Sequence, residues 1–368
     1  MKRILYFLYV DWKWIKQRPH FIAEGLAESF VVDAIHEILY NFQKQKRDKN
    51  EIENLNIKGM PHIPLCRYDF IFNINSFLVN KLLLRNKLKK ADIVWFGHPF
   101  HYNKFRARKG QVVVYDCMDD ILAFTLPERT KRRFEKLESK LCREADLVFA
   151  SSLNLKDKLK ERYGRDDVLI VNNAISLSLD KDVELPKHIC RFFDSSSNTK
   201  KIVYIGTISD WFDFDAIKEL LAEYKNLELL LFGPNDVEIP QCERIRHCGI
   251  LEHKYLLKVM HMSDALIMPF VLNDLIFSVD PVKAYEYIYS GKPVIMPRYG
   301  ESEKFDDYAH LYTGKEGLRE LFEQLHLGTL KAKRNELDCM EYAKGNSWNN
   351  RVGEIRKYLE ESCSSVKK

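Results

Sequence analysis

What the chain lacks narrows its class before anything else. None of its apolar runs approaches the ~20 residues that a membrane-crossing helix needs. Its eight cysteines, at positions 66, 117, 142, 190, 242, 248, 339 and 363, include no Cys-x-x-Cys pair and no zinc-ligand spacing. Neither a disulfide framework nor a structural zinc site is expected, and reduced thiols in a cytosolic protein are the simplest reading. No Gly-x-Gly-x-x-Gly follows any strand-like run, which removes the dinucleotide fingerprint and with it a dehydrogenase. Met1-Lys2-Arg3 precedes an apolar stretch at 4–10, but Asp11 and Trp12 follow at once without a small-residue cleavage site. A first buried strand, not a signal peptide, is expected there.

What is present fits a soluble globular enzyme. The 368 residues suffice for two domains, with 46% hydrophobic and 30% charged residues. The net charge of +5 conceals an asymmetry: residues 1–178 hold 32 Lys+Arg against 22 Asp+Glu, and residues 179–368 hold 26 against 31. The basic excess is local, at Lys44-Gln45-Lys46-Arg47, at Lys87-Leu88-Lys89-Lys90, and at residues 104–109 and 129–133. Such a face attracts an anionic acceptor or an anionic membrane surface, or is a solvated face without a partner.

Strand-like runs at 4–10, 31–35, 93–96, 112–115, 146–150 and 168–171 alternate with helical spacing at 17–29, 132–145 and 153–163. A polar stretch at 178–200 reads as a linker. The pattern restarts with strands at 201–206, 227–232 and 265–269 and helices at 215–224 and 256–261, and late helices are expected at 319–325, 330–342 and 351–361. Alternating elements of this kind predict an α/β fold with two parallel sheets, each covered on both faces. Two such domains in series place a cleft between two sets of strand C-termini, where open α/β sheets bind ligands.

The densest signal is Asp280-Pro281-Val282-Lys283-Ala284-Tyr285-Glu286-Tyr287-Ile288-Tyr289-Ser290-Gly291-Lys292-Pro293-Val294-Ile295. Pro281 suits a first helical turn, Gly291 suits a C-terminal cap, and Val294-Ile295 enters a buried strand. Lys283 and Glu286, three apart, share one helix face, either as a surface ion pair or as a cation and a carboxylate for a ligand with phosphates and a diol. Gly206-Thr207 follows a strand and offers backbone N–H groups to a phosphate, whereas Gly233-Pro234 reads as an ordinary turn. In the first half, Trp12 and Trp14 beside Arg18 form a candidate surface for a sugar ring and an anion, or a locally packed cluster. His98 at a strand end is a candidate acid, base or donor, or a structural histidine, and Asp116, Asp119 and Asp120 form an acidic knot suited to a general base or a metal, with Asp116 placed at the substrate, or else Asp119 or Asp120 caps the next helix.

Taken together, Met260 and Asp264-Ala265-Leu266-Ile267-Met268-Pro269-Phe270, Asp280-Pro281-x-Lys283-x-x-Glu286-Tyr287 and Gly291-Lys292-Pro293-Val294 resemble the donor-binding region of glycosyltransferases with the two-domain B-type fold. The likeness is to the large, retaining, family-4-like group of bacterial polysaccharide enzymes, in the branch with teichuronic-acid and other surface-polysaccharide transferases. Gln17-Arg18-Pro19-His20, the Asp116–Asp120 run and Asn173-Ala174-Ile175 agree with that branch. The resemblance implies a GT-B fold of two Rossmann-like domains facing across a cleft. An acceptor domain is expected at 1–178, a nucleotide-sugar domain at 179–345, and a C-terminal helix at 346–368 returning to the first domain. It implies that Glu286 binds ribose hydroxyls, that Lys283 and the Gly206-Thr207 backbone lie near the diphosphate, that Gly249 and Ile250 lie at the nucleobase, and that His98 faces the donor sugar. No metal and no other cofactor is implied. Two departures stand out: Ser278 occupies the place of an earlier glutamate, and Ser209-Asp210-Trp211-Phe212 replaces the usual Arg…Lys pair. Should the reaction invert, Asp119 or Asp120 is the expected base.

The expected activity is therefore sugar transfer from a nucleotide diphosphate sugar, UDP first and GDP second, to a hydroxyl of a lipid-linked or polysaccharide acceptor. The expected setting is cytoplasmic, peripheral at the inner face of the cell membrane, with no nucleic-acid partner. A sugar-nucleotide 2-epimerase of the same fold and a nucleotide-binding scaffold without turnover are the alternatives.

Overall fold

A computed structural model describes residues 1–13, 15–38, 52–60, 68–177, 182–193 and 199–365. Trp14, Cys66, the Lys44–Arg47 cluster and parts of the 178–200 stretch lie outside the described residues. The chain divides into two compact units, one made of Met1–Asn173 with Trp348–Lys368 and one of Ala174–Ser347.

The first unit opens with β1 (Arg3–Leu8), α1 (Arg18–Leu26) and β2 (Val31–Glu37). It continues through β3 (Leu55–Met60), α2 (Asp69–Leu78), a π-helical turn (Val79–Leu83), α3 (Arg85–Lys90) and β4 (Ile93–Phe96). After β5 (Val112–Cys117) come α4 (Glu128–Glu144), β6 (Leu147–Ala150), α5 (Leu153–Tyr163) and β7 (Leu169–Ile170). The sheet order is β3-β2-β1-β4-β5-β6-β7, with every pairing parallel. The central strands are continuous apolar runs because both faces are covered, as in β4, where Ile93, Val94, Trp95 and Phe96 are all fully buried.

The second unit contains α6 (Lys187–Cys190), β8 (Lys200–Ile205), α7 (Phe214–Glu223), β9 (Leu227–Phe232), β10 (Ile245–Gly249) and α8 (Leu256–Met262). Then follow β11 (Ala265–Ile267), α9 (Asp274–Phe277), α10 (Val282–Tyr289), β12 (Val294–Pro297), β13 (His310–Tyr312), α11 (Gly314–Leu327) and α12 (Glu336–Gly345). Its sheet, β10-β9-β8-β11-β12-β13, is also parallel throughout. The last helix, α13 (Trp348–Ser365), belongs to the first unit. There Trp348 stacks on Phe21 with ring centroids 5.0 Å apart, and Val352 packs where a side chain on Gly25 would otherwise sit.

The linker expected at 178–200 contains a short helix, α6. Strands β3, β10 and β13 were not expected from the sequence, and each lies on a sheet edge. A strand paired on one side only needs no continuous apolar run: β3 reads Leu-Asn-Ile-Lys-Gly-Met and β10 reads Ile-Arg-His-Cys-Gly. The late helix expected at 330–342 begins later, at Glu336, where the Asn335 side chain accepts the Asp338 N–H and caps it.

Each sheet reverses its strand order once, between β1 and β4 in the first unit and between β8 and β11 in the second. The backbone there fans open at the C-terminal ends, which is where open parallel sheets take ligands. Tyr9 and Gly97-His98 stand at the first reversal; Gly206 and Met268-Pro269 stand at the second.

Candidate functional site

The second unit's reversal point is built around two glycines. Gly206 has φ +150°, and a Cβ added there would fall 1.8 Å from Lys283 Cε and 2.6 Å from its Nζ. Gly233 has φ +144°, and a Cβ there would fall 2.1 Å from the Gly206 carbonyl oxygen. The ordinary turn expected at Gly233 is thus the backing on which Gly206 lies. Gly206 N–H donates to the Phe232 carbonyl at 2.7 Å, and Gly233 N–H donates to the Gly249 carbonyl at 2.9 Å. The glycine turns after β8, β9 and β10 are therefore stitched together. The N–H of Thr207 has no partner among the described residues, while its carbonyl accepts from the Tyr204 hydroxyl at 2.6 Å.

Helix α10 delivers side chains to this turn. Ala284, Tyr285, Tyr287 and Ile288 are buried, which turns Lys283 and Glu286 to the opposite face, as their spacing predicted. The helix is pinned by polar contacts at both ends. The Tyr287 hydroxyl accepts the Ile205 N–H at 2.7 Å at the end of β8. Before the helix, buried Asp280 accepts from the Tyr285 hydroxyl at 3.3 Å and pairs with Lys304 at 2.7 Å.

Lys283 and Glu286 are not paired with each other. The Lys283 ammonium lies 5.6 Å from the centroid of the Tyr204 ring and makes no ion pair among the described residues. The Glu286 side chain is 16% exposed, and the His253 ring stands beside it, with Nε2 4.0 Å from Oε1. No described residue donates a hydrogen bond to this carboxylate. Burial pushes its pKa up to about 7, against the opposing field of Lys283. The site thus offers an unengaged cation, an unengaged carboxylate and an open N–H, grouped at one strand end.

Gly249, at φ +86°, forms a bulge in β10, and Ile250 beside it is 53% exposed. Three residues on, this loop delivers His253, which sequence reasoning missed. Its only sequence signal was its place between Gly249 and an expected helix. Ser278 does not replace the absent carboxylate: it is buried, and its hydroxyl donates to the Asp274 carbonyl at 3.2 Å.

The first unit sorts its candidates into engaged and available. Arg18 and Asp116, both expected at the substrate, pair with each other. The buried guanidinium donates from Nε and Nη2 to the Asp116 carboxylate at 2.7–3.1 Å, and from Nη1 to the Val171 carbonyl at 2.6 Å. This joins α1 to the ends of β5 and β7. Asp120, expected as a catalytic base, is likewise engaged. Arg162 donates to both its oxygens at 2.8 Å, Lys158 donates to one at 2.8 Å, and these cations hold its pKa below the ordinary range. Asp119 differs: its carboxylate accepts no hydrogen bond among the described residues. Burial raises its pKa to about 6, with Asp120 and Asp116 adding to the rise and Arg18 opposing it.

His98 stacks on Tyr9 with ring centroids 3.8 Å apart and meets Phe134 edge-on at 5.1 Å. Its Nδ1 accepts the Phe100 N–H at 3.0 Å, which leaves the proton of the neutral ring on Nε2. Burial holds its pKa well below 6.5, with nearby His101 acting in the same direction, so the ring is a neutral hydrogen-bond donor rather than a cation. Trp12 is half-buried. Its indole leans on His20 at 4.8 Å and the Trp12 backbone N–H donates to His36 Nδ1 at 3.1 Å, so local packing already holds it in place.

No family model matches the chain. It is similar to TuaH of Bacillus subtilis (strain 168), provisionally named a teichuronic acid biosynthesis glycosyltransferase, at 26% identity over 199 residues. The matched part is 50% of this chain and 49% of TuaH, so the likeness spans about half the length of that relative. Among solved structures it is similar to Anabaena Alr3699/HepE in complex with UDP and glucose, with a TM-score of 0.70 at 15% identity over 98% of this chain and 100% of that one. It is also similar to sucrose-phosphate synthase from Thermosynechococcus elongatus, with a TM-score of 0.73 at 11% identity over 99% and 100%. The chain has the GT-B fold, built from two Rossmann-like units with parallel sheets of seven and six strands.

Proposed function

We propose that this protein is a glycosyltransferase that uses a nucleoside diphosphate sugar, UDP first and GDP second, and needs no metal ion or other cofactor. The acceptor is a hydroxyl of a lipid-linked or polysaccharide molecule in surface-glycan synthesis, met at the inner face of the cell membrane. The reading rests on Lys283 and Glu286, which share one face of α10 beside the Gly206-Thr207 turn and are both unengaged. A carboxylate with two free oxygens suits the vicinal diol of a ribose. An ammonium and an open N–H suit a diphosphate. The UDP and glucose held by HepE support the same donor class, and the provisional name of TuaH supports the same acceptor class.

In the reaction the bond from the sugar's anomeric carbon to the diphosphate oxygen breaks, and a bond to the acceptor oxygen forms. The diphosphate gains charge as it leaves, and Lys283 with the Thr207 N–H stabilises that charge. The acceptor hydroxyl loses a proton. In a retaining reaction, implied by the family resemblance, the departing phosphate takes it. A second reading, inversion, is favoured by one observation: Asp119 alone of the acidic knot is unengaged, with a pKa near 6. The anomeric configuration of the product, read by NMR, separates the two.

The donor assignment is tested by thermal shift against UDP, GDP and their sugars, since a ligand of the folded state raises the melting temperature. No shift with any of them would remove the donor site.

A further inference from the structure

We propose that α2 is a membrane-docking helix that lies flat on an anionic bilayer. This deepens the membrane clause of the proposed function and rests on that clause only for the identity of the occupant.

The helix buries Phe72 but also turns apolar side chains outward. Asn75 and Ser76 are buried, while Phe70, Ile74 and Phe77 are 75%, 39% and 54% exposed. These three recur at i, i+4 and i+7 and form one stripe about 10 Å long. Leu83, in the following π-helical turn, is also exposed, at 55%.

The helix cannot rotate to hide this face. Its inner side is held by polar bonds: Asn103 Nδ2 donates to Ser76 Oγ at 2.9 Å and to Asn73 Oδ1 at 3.0 Å. Its N-terminal end is held by Arg129 and Arg133, which pair with Asp69, and the Arg133 guanidinium lies 4.5 Å from the Phe72 ring centroid. A contiguous apolar stripe kept in water at the expense of buried polar groups marks an interaction surface.

Charge selects the occupant. Asp69 is neutralised by the two arginines, and no charged residue follows until Lys81. Residues 79–109 then hold nine Lys and Arg (81, 85, 87, 89, 90, 104, 106, 108, 109) and one acid, Asp92. Of these, Lys81, Arg85, Lys89 and Lys90 are exposed and make no ion pair among the described residues. An apolar stripe bordered by unpaired cations matches a bilayer with anionic headgroups. The aromatic residues enter the headgroup boundary while the cations meet the surface charge.

The experiment uses the full chain and sedimentation with vesicles of phosphatidylcholine, alone or with phosphatidylglycerol, at low and high salt. The wild type is expected to bind the anionic vesicles at low salt and to keep part of that binding at high salt. Phe70→Asp/Phe77→Asp should weaken binding at least ten-fold and abolish the salt-resistant part. Phe70→Ser/Phe77→Ser serves should the charged pair fail to fold, judged by circular dichroism. Lys81→Glu/Arg85→Glu should weaken binding to anionic vesicles only. Equal binding by the aromatic variants, no binding by the wild type, or a self-associated chain that these variants render monomeric would overturn the proposal. UDP affinity measured on the same variants keeps the two readings apart. A failed docking surface leaves it unchanged, and a failed donor site removes it in the wild type as well.

Discussion

Replacing Glu286 by Gln should weaken nucleotide binding and, at the same time, strengthen the empty protein. Both effects come from one carboxylate that is largely buried and given no hydrogen-bond donor. Its pKa of about 7, against an ordinary 4.5, corresponds to roughly 3 kcal/mol disfavouring the ionised form in the folded chain. Because the folded value is raised, this cost is absent below about pH 4.5 and complete above about pH 7. Wild-type stability therefore falls as pH rises through that window. Glu286→Gln removes the charge, so its stability should match the wild type near pH 4.5 and exceed it by up to about 3 kcal/mol near pH 8. Binding moves the other way. Two ribose hydroxyls donating to a carboxylate contribute about 1.5–3 kcal/mol each, and an amide keeps only part of that. A net loss of about 2–4 kcal/mol raises the Kd for UDP roughly 30- to 1000-fold. Calorimetry with UDP measures the affinity, and ligand-induced melting shifts with uridine give the pH dependence without the titration of a phosphate. Uridine affinity should rise with pH up to about 7 in the wild type and stay flat in the variant. Unchanged UDP affinity, or an empty variant less stable than the wild type at pH 8, would refute the reasoning.

Three further outcomes follow from the geometry. Gly206→Ala places a methyl group on the flexible end of Lys283, so the ammonium shifts: UDP affinity should fall at least about ten-fold for ~1–2 kcal/mol of stability, whereas Gly233→Ala strikes backbone and should cost about 3 kcal/mol in chemical denaturation. Arg18→Ala strands the buried Asp116 charge and should destabilise the first unit by about 3–5 kcal/mol, with no change in UDP affinity beyond the loss of folded protein. In the inverting reading Asp119→Asn should lower kcat by about 10²- to 10⁴-fold and abolish an acidic limb near pH 6, because the base acts ionised and activity rises with pH through its pKa; a kcat close to the wild type would exclude it as the base and leave the retaining reading.

The central strands of both sheets and the α10 motif were legible in the sequence because each is a local pattern. Buried strands are unbroken apolar runs, and Lys283 and Glu286 share a face through spacing alone. What was not legible depends on distant partners. Arg18 looks like an anion binder until Asp116, 98 positions away, occupies it. Asp119 and Asp120 are adjacent and identical in type. Only the arrival of Lys158 and Arg162 from α5 decides which is an anchor and which is available. Gly233 read as a turn because its need for a missing side chain comes from another strand's backbone. Helix α2 escaped notice because Asp-Phe-Ile-Phe-Asn-Ile-Asn-Ser-Phe-Leu lacks the polar outer face that marks an ordinary surface helix.

The return of α13 to the first unit sets an order on synthesis. Residues 174–347 form the whole second unit and emerge before α13 does. At about 5–20 residues per second that interval is roughly ten to thirty seconds. Throughout it the first unit has its sheet but not the helix that stacks on Phe21 and whose Arg356 bonds to Glu28. The unit made first is thus the unit finished last. A chain cut after residue 347 would keep its second unit entire and leave the first with an uncovered apolar face, open to chaperones and proteases.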